Sequence, residues 1–155
     1  MIRLSLLLGC MIAGSCAGTN VIQTSENTAI VQASAAPICG GIGAARVAQK
    51  QAAIATLQAG FDRYVIMGSS AANNTRVSQG PGTYQTTGIY GGGMMNATTV
   101  YQPGPVIHSG SHDQAFAVRM FREGEPGAAQ AISARNALGP EWEKAVESGS
   151  LATCL

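Results

Sequence analysis

Charged residues are scarce in this chain of 155 residues: they make up 11% of the sequence, and the formal net charge is +1. The chain therefore has neither a basic surface to attract nucleic acid nor an acidic tail. Aromatic residues are also few, at 5%, whereas 20 residues are Gly and Ala is frequent. We expect one domain with a small core of Ala, Val, Ile and Leu, which is marginally stable unless covalent links add to it.

The N-terminus has no apolar run long enough to cross a bilayer of ~30 Å as a helix. Its apolar run, Leu4–Ile12, follows the basic residue Arg3 and has the length of a secretory signal. Small residues at 13–15 precede Cys16, which resembles the bacterial lipobox, where the Cys is diacylated and becomes the first residue of the mature protein. We therefore predict that residues 1–15 are a signal peptide and that Cys16 is lipidated.

Two alternatives to lipidation at Cys16 remain open. Cys10 follows Leu-Leu-Gly and fits the lipobox sequence better, although fewer apolar residues precede it. An ordinary cleavable signal, cut near Ala17, would give a soluble secreted or periplasmic protein. The predicted location is the bacterial cell envelope, with the protein attached by its lipid to the periplasmic face of the inner or outer membrane.

The segment after the lipidation site is rich in Thr, Ser, Asn, Gln and Ala, and it has no helical period. A short alternation at 28–32 could form a weak strand. The simpler interpretation is a lipidated Cys with a flexible tether over residues 16–38. A single domain then occupies residues 39–155.

Hydrophobic periodicity predicts an α+β fold for this domain. Residues 44–59 contain no Gly or Pro and place Val47 and Ile54 on one apolar stripe, which indicates a helix. Alternation and β-branched or aromatic residues indicate two antiparallel strands, at about 62–72 and 112–122. Two C-terminal helices are expected at about 127–138 and 140–148.

The middle segment, residues 73–111, is rich in Gly, Tyr and Thr and has one charged residue, Arg76. Because it cannot form a core of its own, it is predicted to be a long hairpin or loop between the two strands, with disorder as the plainer alternative. Tyr84, Tyr90 and Tyr101 are a possible binding surface for a glycan, a peptide or a protein partner.

Catalytic and cofactor signals are weak. A hydrolase could use His112, Asp113 and His108, with Asp62 as a further carboxylate. Two His four residues apart can share a metal ion on a helix, but a Gly and two Ser intervene here, so no metal site is predicted. The Gly-Gly-Ile-Gly stretch at 40–43 has neither a preceding strand nor a Lys-Ser/Thr pair, so no nucleotide or other cofactor is predicted and the stretch is expected to be a flexible lead-in to the helix.

Cysteine usage predicts one disulfide. Once the N-terminal Cys residues are assigned to the signal and the lipid, Cys39 and Cys154 remain near the two ends of the domain. In an oxidising envelope compartment an even pair indicates a disulfide.

The stretches AGFDRYVI, SHDQA, MFREGEPG and AISARNALGPEW, together with the Ala-rich helix, resemble small envelope lipoproteins of alphaproteobacteria that have no assigned activity. The resemblance covers residues 39–154 and implies an α+β envelope domain without transferable catalytic residues. The leading hypothesis is a non-enzymatic binding or structural module that meets the membrane through its lipid and has an envelope protein or a glycan as partner. A secreted hydrolase and a secreted glycan or peptide binder are the alternatives, and the sequence does not indicate an oligomeric state.

Overall fold

The computed structural model describes residues 17–151 and residue 154, and the α+β fold class is confirmed. The strands are β1 (Ala17–Ser25), β2 (Thr28–Ala35), β3 (Arg63–Asn73), β4 (Arg76–Gln79), β5 (Thr83–Gly91), β6 (Met94–Gln102), β7 (Val106–Ser109), β8 (His112–Phe121) and β9 (Ile132–Ser133). The α-helices are α1 (Gly40–Gln58), α2 (Ala134–Leu138) and α3 (Trp142–Ser148), and short 3-10 turns lie at Pro37–Cys39 and Ala128–Gln130.

Five strands form one sheet in the order β1-β2-β8-β3-β9, and every neighbouring pair is antiparallel. The two predicted strands are β3 and β8, which pair with each other as expected. Helix α1 packs on one face of this sheet. We call the opposite face the open face, because β2 residues such as Gln32 and Ser34 are exposed there.

The prediction of a flexible tether over residues 16–38 is wrong for residues 17–35, which form β1 and β2. Strand β2 lies inside the sheet, between β1 and β8. Its buried positions alternate with more exposed ones, and the buried residues are Ala29, Val31, Ala33 and Ala35. Three of these four are Ala, whose weak strand preference hides the pattern in the sequence, whereas burial beneath α1 stabilises it in the fold.

Helix α1 begins at residue 40, so the Gly-rich stretch predicted as a flexible lead-in is its first turn. Val47 and Ile54 are buried beneath it as predicted. Ala44, Ala48 and Ala52 are at most 1% exposed and let the helix approach the sheet closely. The helix ends before Gly60, whose φ of 80° suits the left-handed turn that terminates a helix.

The core lies between α1 and the sheet. Tyr64 of β3 is fully buried, and its hydroxyl donates a 3.2 Å hydrogen bond to the Gln49 carbonyl oxygen in α1. Val118 and Met120 of β8 complete the centre. Each large apolar side chain buried here contributes roughly 1.5–3 kcal/mol, which is why a core with few aromatics still holds the domain together.

The predicted helix at 127–138 is only partly helical. Gly127 has a φ of 95°, and Ile132 then pairs with Tyr64, because β9 extends the sheet at its edge. The helical part, α2, begins after Ser133, whose hydroxyl accepts a hydrogen bond from the Asn136 backbone N–H at 3.4 Å. The predicted helix at 140–148 is α3.

Cys39 and Cys154 are joined by a disulfide, with their Cα atoms 5.9 Å apart. The bond links residues separated by 115 positions. It attaches the C-terminal segment to the start of α1.

The segment between β3 and β8 is an ordered hairpin that projects from the sheet. We call residues 74–111 the arm. Strand pairing starts in the sheet, with Gly68 opposite Ala117, and ends at the tip of the arm, with Gly91 opposite Met94. The register does not shift between these two pairs, and β4 pairs with β7 and β5 with β6 along the way. A two-residue turn with positive φ values, 62° and 81°, closes it at Gly92 and Gly93. With a strand rise of about 3.3 Å per residue, each strand path of the arm measures about 60 Å along the chain from its base to its tip.

Candidate binding surface on the arm

The residues proposed for hydrolysis are not assembled into a catalytic group. His112 and Asp113 are successive residues of β8, so their side chains lie on opposite faces of the sheet. His112 faces α1, whereas Asp113 lies on the open face and accepts hydrogen bonds from Ser34 Oγ at 2.7 Å and Asn74 Nδ2 at 2.6 Å. The hydrogen bond from Ser34 is the main reason why the pKa of Asp113 lies below its ordinary value. Asp113 therefore links β2, β8 and the base of the arm.

His108 lies on β7, opposite Val77, and is four residues away from His112. Along an extended strand this spacing is about 13 Å, too far for the two rings to bind one metal ion. In residues 17–151 and 154, no group of three or more His, Cys, Asp and Glu is placed to hold a metal.

Asp62, the fourth candidate for catalysis, lies just before β3 and contacts two neighbouring segments there. Its carboxylate lies 3.4 Å from the Arg135 guanidinium and accepts a 3.1 Å hydrogen bond from the Glu123 backbone N–H. The neighbouring Arg63 donates to the Glu123 carboxylate at 2.8 Å and to the Ala131 carbonyl at 3.2 Å. The contacts of Asp62 are therefore those of a structural ion pair.

The three tyrosines proposed as a binding surface lie on one face of the β5–β6 hairpin. Tyr84 and Tyr101 are cross-strand partners with ring centroids 5.0 Å apart. Tyr90 is six residues beyond Tyr84 on the same strand, so the alternation of side chains places it on the same side. The tyrosine face, as we call it, consists of Tyr84, Thr86, Gly88, Tyr90, Met95, Ala97, Thr99 and Tyr101.

The tyrosine face is more apolar than its composition suggests. The hydroxyls of Thr86 and Thr99, its two threonines, lie 2.9 Å apart and bond to each other. The Met95 side chain covers Gly88, because a Cβ at that position would lie 2.8 Å from its terminal methyl. Tyr84, Tyr90 and Tyr101 are 74%, 78% and 52% exposed.

The opposite side of the hairpin, which we call the threonine face, carries mainly hydroxyl and amide groups. Its residues are Thr83, Gln85, Thr87, Ile89, Gly91, Met94, Asn96, Thr98, Val100 and Gln102. Ile89 and Met94 lie at the tip and are 77% and 78% exposed. The hairpin thus has one aromatic face, one polar face and an apolar tip.

A second concave surface, which the sequence did not indicate, lies on the open face of the sheet. A shallow depression of about 540 Å³ extends across β1, β2, β8 and β3. Small side chains line the depression, including those of Ser34, Ser70 and Ala115. The carboxylate of Asp113 also lines it. It could not be predicted while β1 and β2 were interpreted as a tether.

Comparisons with protein-family models, with curated proteins and with solved structures found no match. In the part of the chain that the structure describes, no helix is long and apolar enough to cross a membrane. Cys16, the predicted lipidation site, lies outside the described residues.

Proposed function

We propose that the protein is a non-enzymatic binding or structural module of the bacterial cell envelope, attached to a membrane by a lipid on Cys16 and acting through its arm. The observation that carries this proposal is the arm, a two-stranded ribbon with large apolar side chains in water. Isolated two-stranded hairpins are marginally stable, and exposed apolar patches mark interaction sites. The side chains of the arm therefore serve a partner outside the domain.

The position of β1 supports a connection between the anchor and the arm. Ala17 pairs with Ala35, Ala35 with His112, and His112 with Asn73, so these residues form one row across the sheet. Cys16 directly precedes Ala17, and the arm begins directly after Asn73. Three strand spacings of about 4.8 Å separate the two ends of the row. A lipid on Cys16 therefore belongs to the end of the sheet from which the arm projects.

The separation of His112 and Asp113 on opposite faces of β8 favours the non-enzymatic proposal over a hydrolase. A general base and the carboxylate that orients it need to be within hydrogen-bond reach of each other. Substitution of His112 by Ala is therefore expected to leave envelope function intact, provided that the variant folds.

The anchor is tested by intact mass spectrometry of the mature protein and by membrane fractionation. We expect a diacylated N-terminus at Cys16, loss of the lipid in Cys16→Ser, and no change in the matched variant Cys10→Ser. A mature protein that begins with unmodified Ala17 would refute the anchor. A lipid that disappears only in Cys10→Ser would move it to the other candidate.

The role of the arm is tested by deletion of residues 76–109. This joins Thr75 to Gly110 and leaves a two-residue turn between Asn74 and Ser111, which are hydrogen-bonded in the full chain. We expect the variant to fold with a nearly unchanged melting temperature. We also expect chemical cross-linking in intact envelopes to give cross-linked species with the full protein and none with the variant. Retention of those species would show that the arm is not the functional surface.

A soluble glycan or peptide binder is the second candidate, and the exposed Tyr84–Tyr101 pair favours it, since aromatic rings form platforms for such ligands. It requires an unlipidated mature protein. It also requires that Tyr84→Ala and Tyr101→Ala abolish ligand binding in calorimetry. The fourth tyrosine, Tyr64, is buried in the core and cannot contact the ligand.

A further inference from the structure

The edges of the β5–β6 hairpin lack the protection that the base of the arm has. Among the described residues β5 pairs only with β6, so each strand has an outer edge with no strand beside it. Nearer the base, Arg76, Pro81, Pro103 and Pro105 supply the charge and the prolines that usually protect such edges. Residues 83–102 contain no Asp, Glu, Lys, Arg or Pro. The edges of the hairpin are therefore open to pairing with a further strand.

Of the two edges, that of β6 is the better suited to pairing. Its sequence, MMNATTVYQ, has no Gly and has three β-branched residues in succession, at 98–100. Strand β5 contains Gly88 in its interior, and a Gly at such a position weakens a strand. Short segments with high strand preference, no charge and no Pro are those that pair with copies of themselves.

The turn at the tip determines which backbone groups of β6 point outward. Gly92 and Gly93 form a two-residue turn with positive φ, and the residues that flank such a turn, here Gly91 and Met94, exchange backbone hydrogen bonds. Hydrogen-bonded pairs alternate along an antiparallel ladder, so every second residue from Met94 bonds to β5. The outward N–H and C=O groups belong to Met95, Ala97, Thr99 and Tyr101.

From these features we propose that β6 pairs antiparallel with β6 of a second copy of this chain, which makes one four-stranded sheet from two arms. The register that pairs all 9 residues of the strand places a two-fold axis at Thr98. It brings Ala97 opposite Thr99 of the second copy and Met95 opposite Tyr101 of the second copy. Outward groups then meet outward groups and form about eight hydrogen bonds. The tyrosine faces of both arms lie on the same side of the sheet, whereas a shift of one residue would put them on opposite sides.

A second copy is the partner because the edge complements itself. Two identical edges with charges would place like charges side by side, which is unfavourable, whereas β6 has no charge. Met95 beside Tyr101 of the second copy brings a thioether to an aromatic ring, a favourable contact that the two-fold axis makes twice. The second hairpin also supplies the further strands that a two-stranded hairpin needs to be stable in water.

The base of the arm keeps the two domains apart in this dimer. Met94, at the tip of one hairpin, lies opposite Gln102 of the other, ten residues before His112, where β8 begins. Each five-stranded sheet therefore starts about 45 Å from the two-fold axis along the strands. The inference rests on the proposed function, because it names the partner of the arm. With the axis perpendicular to the membrane, both predicted lipids lie at the same height and both arms run along the membrane surface.

Two residues of the threonine face give a matched test of the register. Thr98 lies at the axis in a non-hydrogen-bonded pair, with Cα atoms about 4.5 Å apart, within the range of a disulfide. Thr87, opposite Thr98 on β5, lies about 14 Å from its own copy, at three strand spacings. In intact envelopes under mild oxidation, Thr98→Cys should give disulfide-linked dimers in several-fold excess over Thr87→Cys and over the wild-type protein.

The hydrogen bonds of the edge are tested with Pro. Thr99→Pro removes an outward N–H of β6 and Thr86→Pro removes an outward N–H of β5, and both variants lose the same hydrogen bond between hydroxyls. In light scattering of the full chain in detergent, the wild-type protein and Thr86→Pro should be dimers and Thr99→Pro a monomer.

The inference would be overturned by a dimeric Thr99→Pro, by an equal loss of the dimer in both Pro variants, or by Thr98→Cys dimers no more abundant than those of Thr87→Cys. The proposed function survives such a result if deletion of residues 76–109 still removes the cross-linked species from envelopes. Retention of those species in the deletion variant refutes the proposed function and the inference together.

Discussion

The Ser34 hydroxyl donates a 2.7 Å hydrogen bond to the carboxylate of Asp113, a residue 79 positions away in the sequence. This contact fastens β2 to β8 on the open face of the sheet. Asn74, the first residue of the arm, donates to the other oxygen of the same carboxylate at 2.6 Å. The ionised Asp113 therefore holds together a strand that the sequence suggested was a tether and the base of the arm.

Asp113→Asn should destabilise the protein in a pH-dependent way. The pKa of Asp113 is lower in the folded state, so the ionised group stabilises the fold above its unfolded pKa of about 4, and this contribution disappears as the pH falls through the folded pKa. At pH 7 we expect a loss of about 1 kcal/mol or less. Urea unfolding at pH 7, 5 and 3 measures it, with the exposed Glu147→Gln as the control. A difference that stays constant across this range would contradict the assignment.

Two glycines of the first turn of α1 should respond to Ala in opposite directions. A Cβ at Gly43 would lie 2.9 Å from Cys39 Cβ and 3.4 Å from Cys154 Cβ, whereas at Gly41 the nearest atom is 4.0 Å away, in His112. Gly43→Ala should cost about 1–3 kcal/mol through overpacking. Gly41→Ala should gain up to about 0.5–1 kcal/mol by reducing the entropy of the unfolded chain. Thermal unfolding of the pair checks this, and equal effects would refute the packing of this turn against the disulfide.

Removal of the disulfide should weaken the domain strongly. The bond closes a long loop, with its Cys residues 115 positions apart, and native disulfides of small secreted domains typically contribute about 2–5 kcal/mol. The double variant Cys39→Ser/Cys154→Ser should therefore unfold at lower urea than the oxidised protein. Reduced wild-type protein should unfold together with the variant. Coincident curves for all three samples would show that the bond does not stabilise the fold.

Tyr64 should ionise late. Burial raises its pKa to about 12, so the folded state favours the neutral phenol, and the resulting stability is present below about pH 10 and lost as the pH rises toward 12. Tyr64→Phe should cost about 1 kcal/mol through loss of the hydrogen bond to Gln49. The absorbance difference at 295 nm between wild type and Tyr64→Phe isolates this phenol, and Tyr90→Phe, at the exposed tip, is the control. Ionisation of Tyr64 near pH 10 in folded protein would contradict its burial.

The sequence pattern predicted the elements that are marked by large apolar side chains. Helix α1 has buried Val47 and Ile54 on one stripe. Strand β8 buries every second residue from Phe116 to Met120, and β3 has a run of aromatic and aliphatic residues near its start. These three elements were identified to within a few residues. The Gly-rich first turn of α1 was missed because local helix preference is low there, whereas packing against the disulfide segment favours it.

The remaining features depend on contacts between distant residues. Strand β2 buries mostly Ala, so its pattern became visible only beneath α1. The arm could be identified as a hairpin or a loop, but its register follows from the turn at Gly92 and Gly93, which aligns Tyr84 with Tyr101. The depression on the open face needs four strands in the order that pairing gives them. The contacts of β2 and of the depression are therefore not encoded in any short stretch of sequence.

The start of β1 at Ala17 leaves no slack between the sheet and the predicted lipid site. With an acyl chain on Cys16, the domain cannot tumble freely above the membrane as it would on a long tether. Encounters between copies then become a two-dimensional search by molecules that already share one orientation. Gly-Ser residues inserted at this junction would preserve attachment to the membrane and remove the fixed orientation of the domain. Such a variant therefore separates the effect of membrane attachment from the effect of orientation.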